Sequence, residues 1–209
     1  MTSEVWIGIA AVVLGYFLGS IPSAYIAGRM VKGIDIRTVG SKNMGAMNSI
    51  YSLGIVPGLT VMAADILKGV ASMGFAQLMG APNIAMFLAG TAAVLGHSFP
   101  VWLGFRGGKG GAPLVGVFIY LMPWGIPIGL SIFGIMLFFT HFPTLSYSIG
   151  LLCFPFIAWL IHGRGDYVIY SCLMLLIPLL LYIPRIKEMR SKSGNWKHFA
   201  VRKNLKDRF

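Results

Sequence analysis

The sequence predicts an all-α integral membrane protein, a seven-transmembrane-helix bundle with its N-terminus outside and its C-terminus inside. Three observations carry that expectation. Of 209 residues, 56% are hydrophobic and 11% charged, against roughly a quarter charged in soluble domains. Apolar runs of bilayer-crossing length recur along the chain. The basic residues are also segregated: nine of the 17 Lys and Arg fall between 185 and 209, against Glu188 and Asp207. In an apolar chain such a tail serves inside topology and anionic lipid. No nucleic-acid partner is expected.

The first span covers about residues 5–30. The run after Glu4 lacks a basic flank and is too long for a signal-peptide core, so it reads as a retained span. Gly15 and Gly19 have the spacing of close helix packing, and Ser20-Ile21-Pro22 marks a bend. Residues 29–50 form a polar cytosolic loop with Arg29, Lys32, Arg37 and Lys42 against Asp35. The second span, about 54–79, places Asp65 and Lys68 three apart on one helix face. An ionisable pair in a bilayer is costly and faces protein or a water-filled site. It either locks helices together or takes part in the chemistry.

A third span, about 83–95, leads into a second cytosolic loop at about 96–113. A short apolar segment at 114–122 ends at Pro123, and spans follow at about 126–140, 145–161 and 168–184. Cys153 and Cys172 lie in apolar runs without metal-ligand spacing and read as buried hydrophobes. With the tail 185–209 in the cytosol, fifteen Lys and Arg lie inside, Arg164 alone lies outside and Lys68 is in the membrane. The opposite orientation inverts that bias. No repeat or soluble module interrupts the pattern, so residues 1–209 read as a single membrane-embedded domain.

Residues 96–110 pack His97, Arg106, Lys109 and five glycines into fifteen positions. Gly104, Gly107, Gly108 and Gly110 allow positive φ and close approach to a ligand. Inward-turned amides would make an anion nest, to which Arg106 and Lys109 add charge. His97 offers an imidazole for proton transfer, or an N–H that shapes the turn. The second candidate ligand loop is 40–48, where Gly40, Ser41, Asn43 and Asn48 favour turns and local hydrogen bonds.

Several templates fail. Gly104-x-x-x-Gly108-Lys109-Gly110 is one residue short of a P-loop and lacks its Ser/Thr. His162 and Asp166 lie on the expected outer face, with three rather than four residues between them, and read as a turn. There is no GxSxG elbow and no metal-ligand motif, so no metal and no cofactor are expected. Two anion-binding loops, one histidine and no nucleophile suit a phosphorylated ligand meeting a lipid, where positioning and charge neutralisation can suffice.

At these residues the chain resembles a known family. Gly-Ser-x-Asn-x-Gly-Ala-x-Asn at 40–48 and Gly-His-x-Phe-Pro-Val-x-Leu-Gly-Phe-x-Gly-Gly-Lys-Gly at 96–110 are similar to two signature loops of the bacterial acyl-phosphate:glycerol-3-phosphate acyltransferases, the PlsY family. The likeness extends to residues 18–28, 32–37 and 65–69 and covers roughly 14–116. It implies a seven-helix, multi-pass protein of the bacterial inner membrane with its active site on the cytosolic face. The implied reaction moves a fatty acyl group from acyl phosphate, not acyl-CoA, to the 1-hydroxyl of glycerol 3-phosphate, giving lysophosphatidic acid for phospholipid synthesis. The implied partners are acyl phosphate, glycerol 3-phosphate or another small acceptor, and membrane lipid.

Carried over, Gly40, Ser41 and Asn43 would line the phosphate site, with Gly107, Gly108, Lys109 and Gly110 opposite. His97 would order the site or assist proton transfer. His97 and Lys109 are thus the catalytic candidates, and Lys42, Asn48 and Arg106 join the glycines, Ser41 and Asn43 as phosphate-binding candidates.

The chain departs from the family pattern at defined places. The family has glycine at position 42, threonine at 47 and arginine at 51, where this chain has Lys42, Met47 and Tyr51. It has Val-Ala-Thr where this chain has Gly111-Ala112-Pro113. Its His- and Asn-containing pattern after the last span meets residues 183–187 here, including Lys187. The chain therefore reads as a divergent member. The alternatives are a homologue acylating a different acceptor, or a non-catalytic phosphate- or lipid-binding partner protein. A transporter has only the Asp65–Lys68 pair in its favour and no paired broken helices.

Overall fold

A computed structural model describes residues 2–193, and among them the chain is all-helical. α1 (Thr2–Ser20) and α2 (Ser23–Lys32) are two halves of the first apolar run. They part at Pro22, which has no N–H to continue the ladder. A 3₁₀ turn (Ile36–Thr38) and α3 (Ala46–Leu53) follow. Next come α4 (Ile55–Leu78), α5 (Asn83–Ser98), a second 3₁₀ turn (Val101–Leu103) and α6 (Gly111–Leu121). α7 (Gly125–Thr140), α8 (Pro143–Leu151), α9 (Phe154–Leu160) and α10 (Gly165–Ser193) complete the described residues.

Several boundaries differ from the sequence reading. The first polar loop is partly helical, because α3 buries Leu53 with Ile36 and Met44 against Ala24 of α2 and Val61 of α4. The expected span at 145–161 divides at Leu152-Cys153 into α8 and α9, with Pro155 in the first turn of α9. Proline is tolerated there, where its missing N–H has no partner to lose. α10 continues past Pro178 and Pro184 to Ser193. The rest of the basic tail, 194–209, lies outside the described residues.

The chain forms two compact units, Met1–Leu121 and Met122–Phe209. In the first, α1 lies along α5 and α4 along α6, with backbones close enough that only glycine fits. A Cβ on Gly15 or Gly19 would overlap the backbone of Ala89 or Ala93, and Gly69 and Gly116 stand in the same relation across α4 and α6. This is the small-residue packing that lets membrane helices approach. In the second unit α7 packs on α8 and α9 on α10.

An apolar core is joined by buried polar groups, and large apolar side chains also cover the outside. Ser20, Asp65, Lys68, Ser72 and His97 are buried, whereas Trp6, Leu78, Phe138 and Leu160 are exposed. Charged groups stay inside only when paired, and large apolar surface stays outside only when lipid or protein covers it. Among the described residues, five helical segments have the length and composition to cross a bilayer: Ser3–Lys32, Ile55–Leu78, Asn83–Leu103, Pro143–Leu160 and Gly165–Glu188. Gly111–Leu121 and Gly125–Thr140 are apolar but shorter.

Candidate active site

The site lies in the first unit, where the α2–α4 connection meets the α5–α6 connection. Asn48, buried on α3, organises the first loop. Its Nδ2 donates to the carbonyls of Ile36 (3.0 Å) and Val39 (3.1 Å), and its Oδ1 accepts from the Ser41 amide at 3.0 Å. Gly40 passes beside this oxygen at φ 58°, and a Cβ there would overlap it. The Asn48 amide is therefore directed at the loop itself. Asn48 thus shapes the stretch bearing Ser41, Lys42 and Asn43. Ser41 and Lys42 are exposed, Asn43 is half-buried, and Lys42 adopts φ 58°.

The Gly-rich loop returns to the end of α5. The Gly107 amide donates to Ser98 O (3.1 Å) and the Gly108 amide to His97 O (3.0 Å). Those carbonyls lie in the last turn of α5, where no further turn follows to satisfy them. The expectation that these two amides turn toward an anion is thus corrected. Their glycine character serves contact, since a Cβ on Gly107 would overlap the His97 carbonyl and Pro100, and one on Gly108 the His97 ring and the Met44 carbonyl. Gly104 (φ 62°) and Gly110 (φ 75°) do use the left-handed region, and Phe105 shares it at φ 60°.

Lys109, half-buried, stands two residues before α6 begins at Gly111. The positive end of the α6 dipole therefore lies next to Lys109 in the chain, an arrangement suited to an anion. Sequence reading placed that start at 114 and missed the feature, because Gly110-Gly111 and Pro113 resemble loop residues. Arg106 is exposed beside it.

Two contacts join the loops. Gly108 lies against the Met44 carbonyl. Arg37 donates from Nη1 to Leu103 O at 3.2 Å while its Nε and Nη2 grip Asp35, the latter at 2.7 Å. The Arg37 hydrogen bonds hold the Asp35 carboxyl below the ordinary carboxylate range.

Beneath the loops lies a buried charged cluster. Lys68 Nζ donates to Asp65 Oδ1 and to Ile21 O, each at 2.5 Å, and His97 Nδ1 is 3.5 Å from the same Asp65 oxygen. The Asp65–Lys68 pair is visible in the sequence, but its link to His97 and to the α1–α2 break is not. Nor does the sequence reveal Arg37 as the clasp between loops.

Buried polar groups inside an apolar exterior, on helices of bilayer length, define a multi-span helical membrane protein. A family profile described as glycerol-3-phosphate acyltransferase matches residues 9–192. The glycerol-3-phosphate acyltransferase 2 of Dehalococcoides mccartyi is 50% identical over 202 residues, spanning 96% of each chain. The glycerol-3-phosphate acyltransferase of Bacillus subtilis is 37% identical over 79% of this chain and 86% of its own. The crystal structure of PlsY, an integral membrane glycerol 3-phosphate acyltransferase, in its glycerol 3-phosphate form matches with TM-score 0.80 at 28% identity, covering 90% of this chain and 92% of PlsY. This chain belongs to the glycerol-3-phosphate acyltransferase family.

Proposed function

We propose that this chain transfers a fatty acyl group from acyl phosphate to the 1-hydroxyl of glycerol 3-phosphate, forming lysophosphatidic acid at the cytosolic face of the bacterial inner membrane. The observation that carries the reading is the abutment of the two loops: Gly108, next to Lys109, lies on the Met44 carbonyl of the Gly40–Asn48 stretch. Two phosphates held there would place donor and acceptor side by side. In this reading Lys109, Arg106 and the α6 N-terminus neutralise the donor phosphate. Ser41, Lys42 and Asn43 face the acceptor.

The acceptor oxygen attacks the acyl carbonyl carbon, the bond from that carbon to the phosphate oxygen breaks, and phosphate leaves. The hydroxyl proton passes to a substrate phosphate, so no protein nucleophile is needed, and most of the catalysis is positioning and charge neutralisation. The likeness to PlsY supports glycerol 3-phosphate as acceptor, since solved structures of PlsY are described as its glycerol 3-phosphate and lysophosphatidic acid forms. Seven crossings, with the N-terminus outside and residues 1–209 acting as one membrane-embedded domain, complete the reading. The positive-inside bias of both loops and of the tail supports it.

The test is purified protein in lipid mesophase or detergent with acyl phosphate and glycerol 3-phosphate. The expected result is one lysophosphatidic acid per phosphate released. If none forms while a standard family enzyme is active in parallel, glycerol 3-phosphate is not the acceptor.

A further inference from the structure

We propose that Asp65 is a positioning residue that fixes the ring orientation and tautomer of His97, with Lys68 as its buried counter-ion. The inference rests on the reading of residues 96–110 as the active-site loop. A structural ion pair needs only Asp65 and Lys68, three apart on α4. The geometry holds more than that.

Asp65 is almost wholly buried, and its Oδ2 has no hydrogen-bond partner. The carboxylate is answered entirely through Oδ1, which meets Lys68 Nζ at 2.5 Å and His97 Nδ1 at 3.5 Å. Lys68 in turn donates to Ile21 O, next to the break that Pro22 makes between α1 and α2. One oxygen on α4 thereby ties the helix break, the end of α5 and, through His97, the Gly-rich loop.

The ring direction has a chemical consequence. A neutral imidazole that turns Nδ1 toward a carboxylate carries its proton there, leaving Nε2 as the acceptor nitrogen. Nε2 is the atom that lies against Gly108, where any Cβ would overlap it. The backbone of His97 holds the same residue, because its carbonyl accepts the Gly108 amide at 3.0 Å. Asp65 therefore presents the lone pair of Nε2 at the residue before Lys109. A rotated ring would break the Asp65 contact and turn an N–H toward the loop. Lys68 holds the carboxylate in place through its 2.5 Å contact, so the arrangement is set before substrate arrives.

Two variants and one spectroscopic measurement test this. Asp65→Asn alone leaves Lys68 without its carboxylate inside the membrane, and misfolding would confuse the result. Asp65→Asn/Lys68→Met removes both charges at nearly constant volume. Protein labelled with ¹⁵N in its histidine rings, in lipid nanodiscs, reports which nitrogen carries the proton, and the His97 signals are identified by their loss in His97→Gln. The wild type is expected to hold the Nδ1–H tautomer. The double variant is expected to populate both tautomers, melt within about 5 °C of wild type, and lose about 10- to 100-fold in kcat with less than threefold change in KM for glycerol 3-phosphate.

An Nε2–H tautomer in the wild type overturns the proposal by itself, even if neither variant folds. A double variant with wild-type kcat or an unchanged tautomer reduces Asp65–Lys68 to a helix lock. A wild type that holds the Nδ1–H tautomer but turns over no acceptor supports the positioning and refutes the proposed reaction instead.

Discussion

Lys42 carries a left-handed backbone, φ 58°, at a position the family pattern fills with glycine. An L-residue there costs about 1–2 kcal/mol relative to the right-handed region, so the side chain is retained against a local penalty. Its place between Ser41 and Asn43 accounts for that if its ammonium meets the acceptor phosphate, where the family's arginine is replaced by Tyr51. Lys42→Gly is then expected to melt no lower than wild type. It should raise KM for glycerol 3-phosphate about tenfold, the value of one charge-assisted contact, with kcat little changed. Lys109→Ala should instead lower kcat/KM about 10²- to 10³-fold, as loss of a preorganised charge does, and steady-state kinetics separate the two. At this scale the glycine and lysine spacing that singles out 40–48, 96–110 and Lys109 is local, and so is legible in the sequence. Asn48 was legible as important but not as a scaffold, since its partners Ile36 and Val39 are apolar residues whose carbonyls leave no mark in the sequence.

At the scale of elements, α1 and α5 depend on glycine contact. Gly19→Val would drive a branched side chain into the Ala93 backbone, and overpacking of this kind costs about 1–3 kcal/mol. A lower thermal midpoint with falling activity is expected, whereas the same change at Gly134, around which a Cβ meets nothing, should leave both almost unaltered. The clasp between loops is an element-scale device of another kind. Because Arg37 depresses the Asp35 carboxyl, the pair contributes fully above the ordinary value of about 4. Its contribution is lost as pH falls through the depressed folded value. The hydrogen-exchange protection factors of the Arg37, Thr38 and Ser41 amides, corrected for intrinsic exchange at each pH, should therefore hold from pH 8 down to about 5 and fall below about 4. In Asp35→Asn they should be lower throughout. The Pro22 break and most helices were legible from apolar period and proline. The α3 helix was not, because Gly45, Met47 and Asn48 read as turn chemistry, and only its packing against α2 and α4 makes it helical. The clasp was hidden for a similar reason: Arg37 reaches a backbone carbonyl 66 residues away, and nothing in either loop's own composition announces that partner.

For the whole molecule, the apolar exterior and the basic segregation speak about membrane placement, and α10 offers the sharpest test. Asp166 and Lys187 are both exposed near its two ends, and the 21 residues separating them rise about 32 Å at 1.5 Å per residue. That matches the roughly 30 Å hydrocarbon core, so a crossing α10 must carry them on opposite faces. The proposed orientation would put fifteen cations inside against Arg164 outside, in keeping with the positive-inside bias. With Cys153 and Cys172 first replaced by alanine, Asp166→Cys should react with a membrane-impermeant maleimide added to spheroplasts. Lys187→Cys should react only after the membrane is opened. Labelling of both before opening would mean that α10 lies along the membrane instead of through it. Labelling of Lys187→Cys alone would invert the orientation, and with it the compartment from which glycerol 3-phosphate must reach the loops.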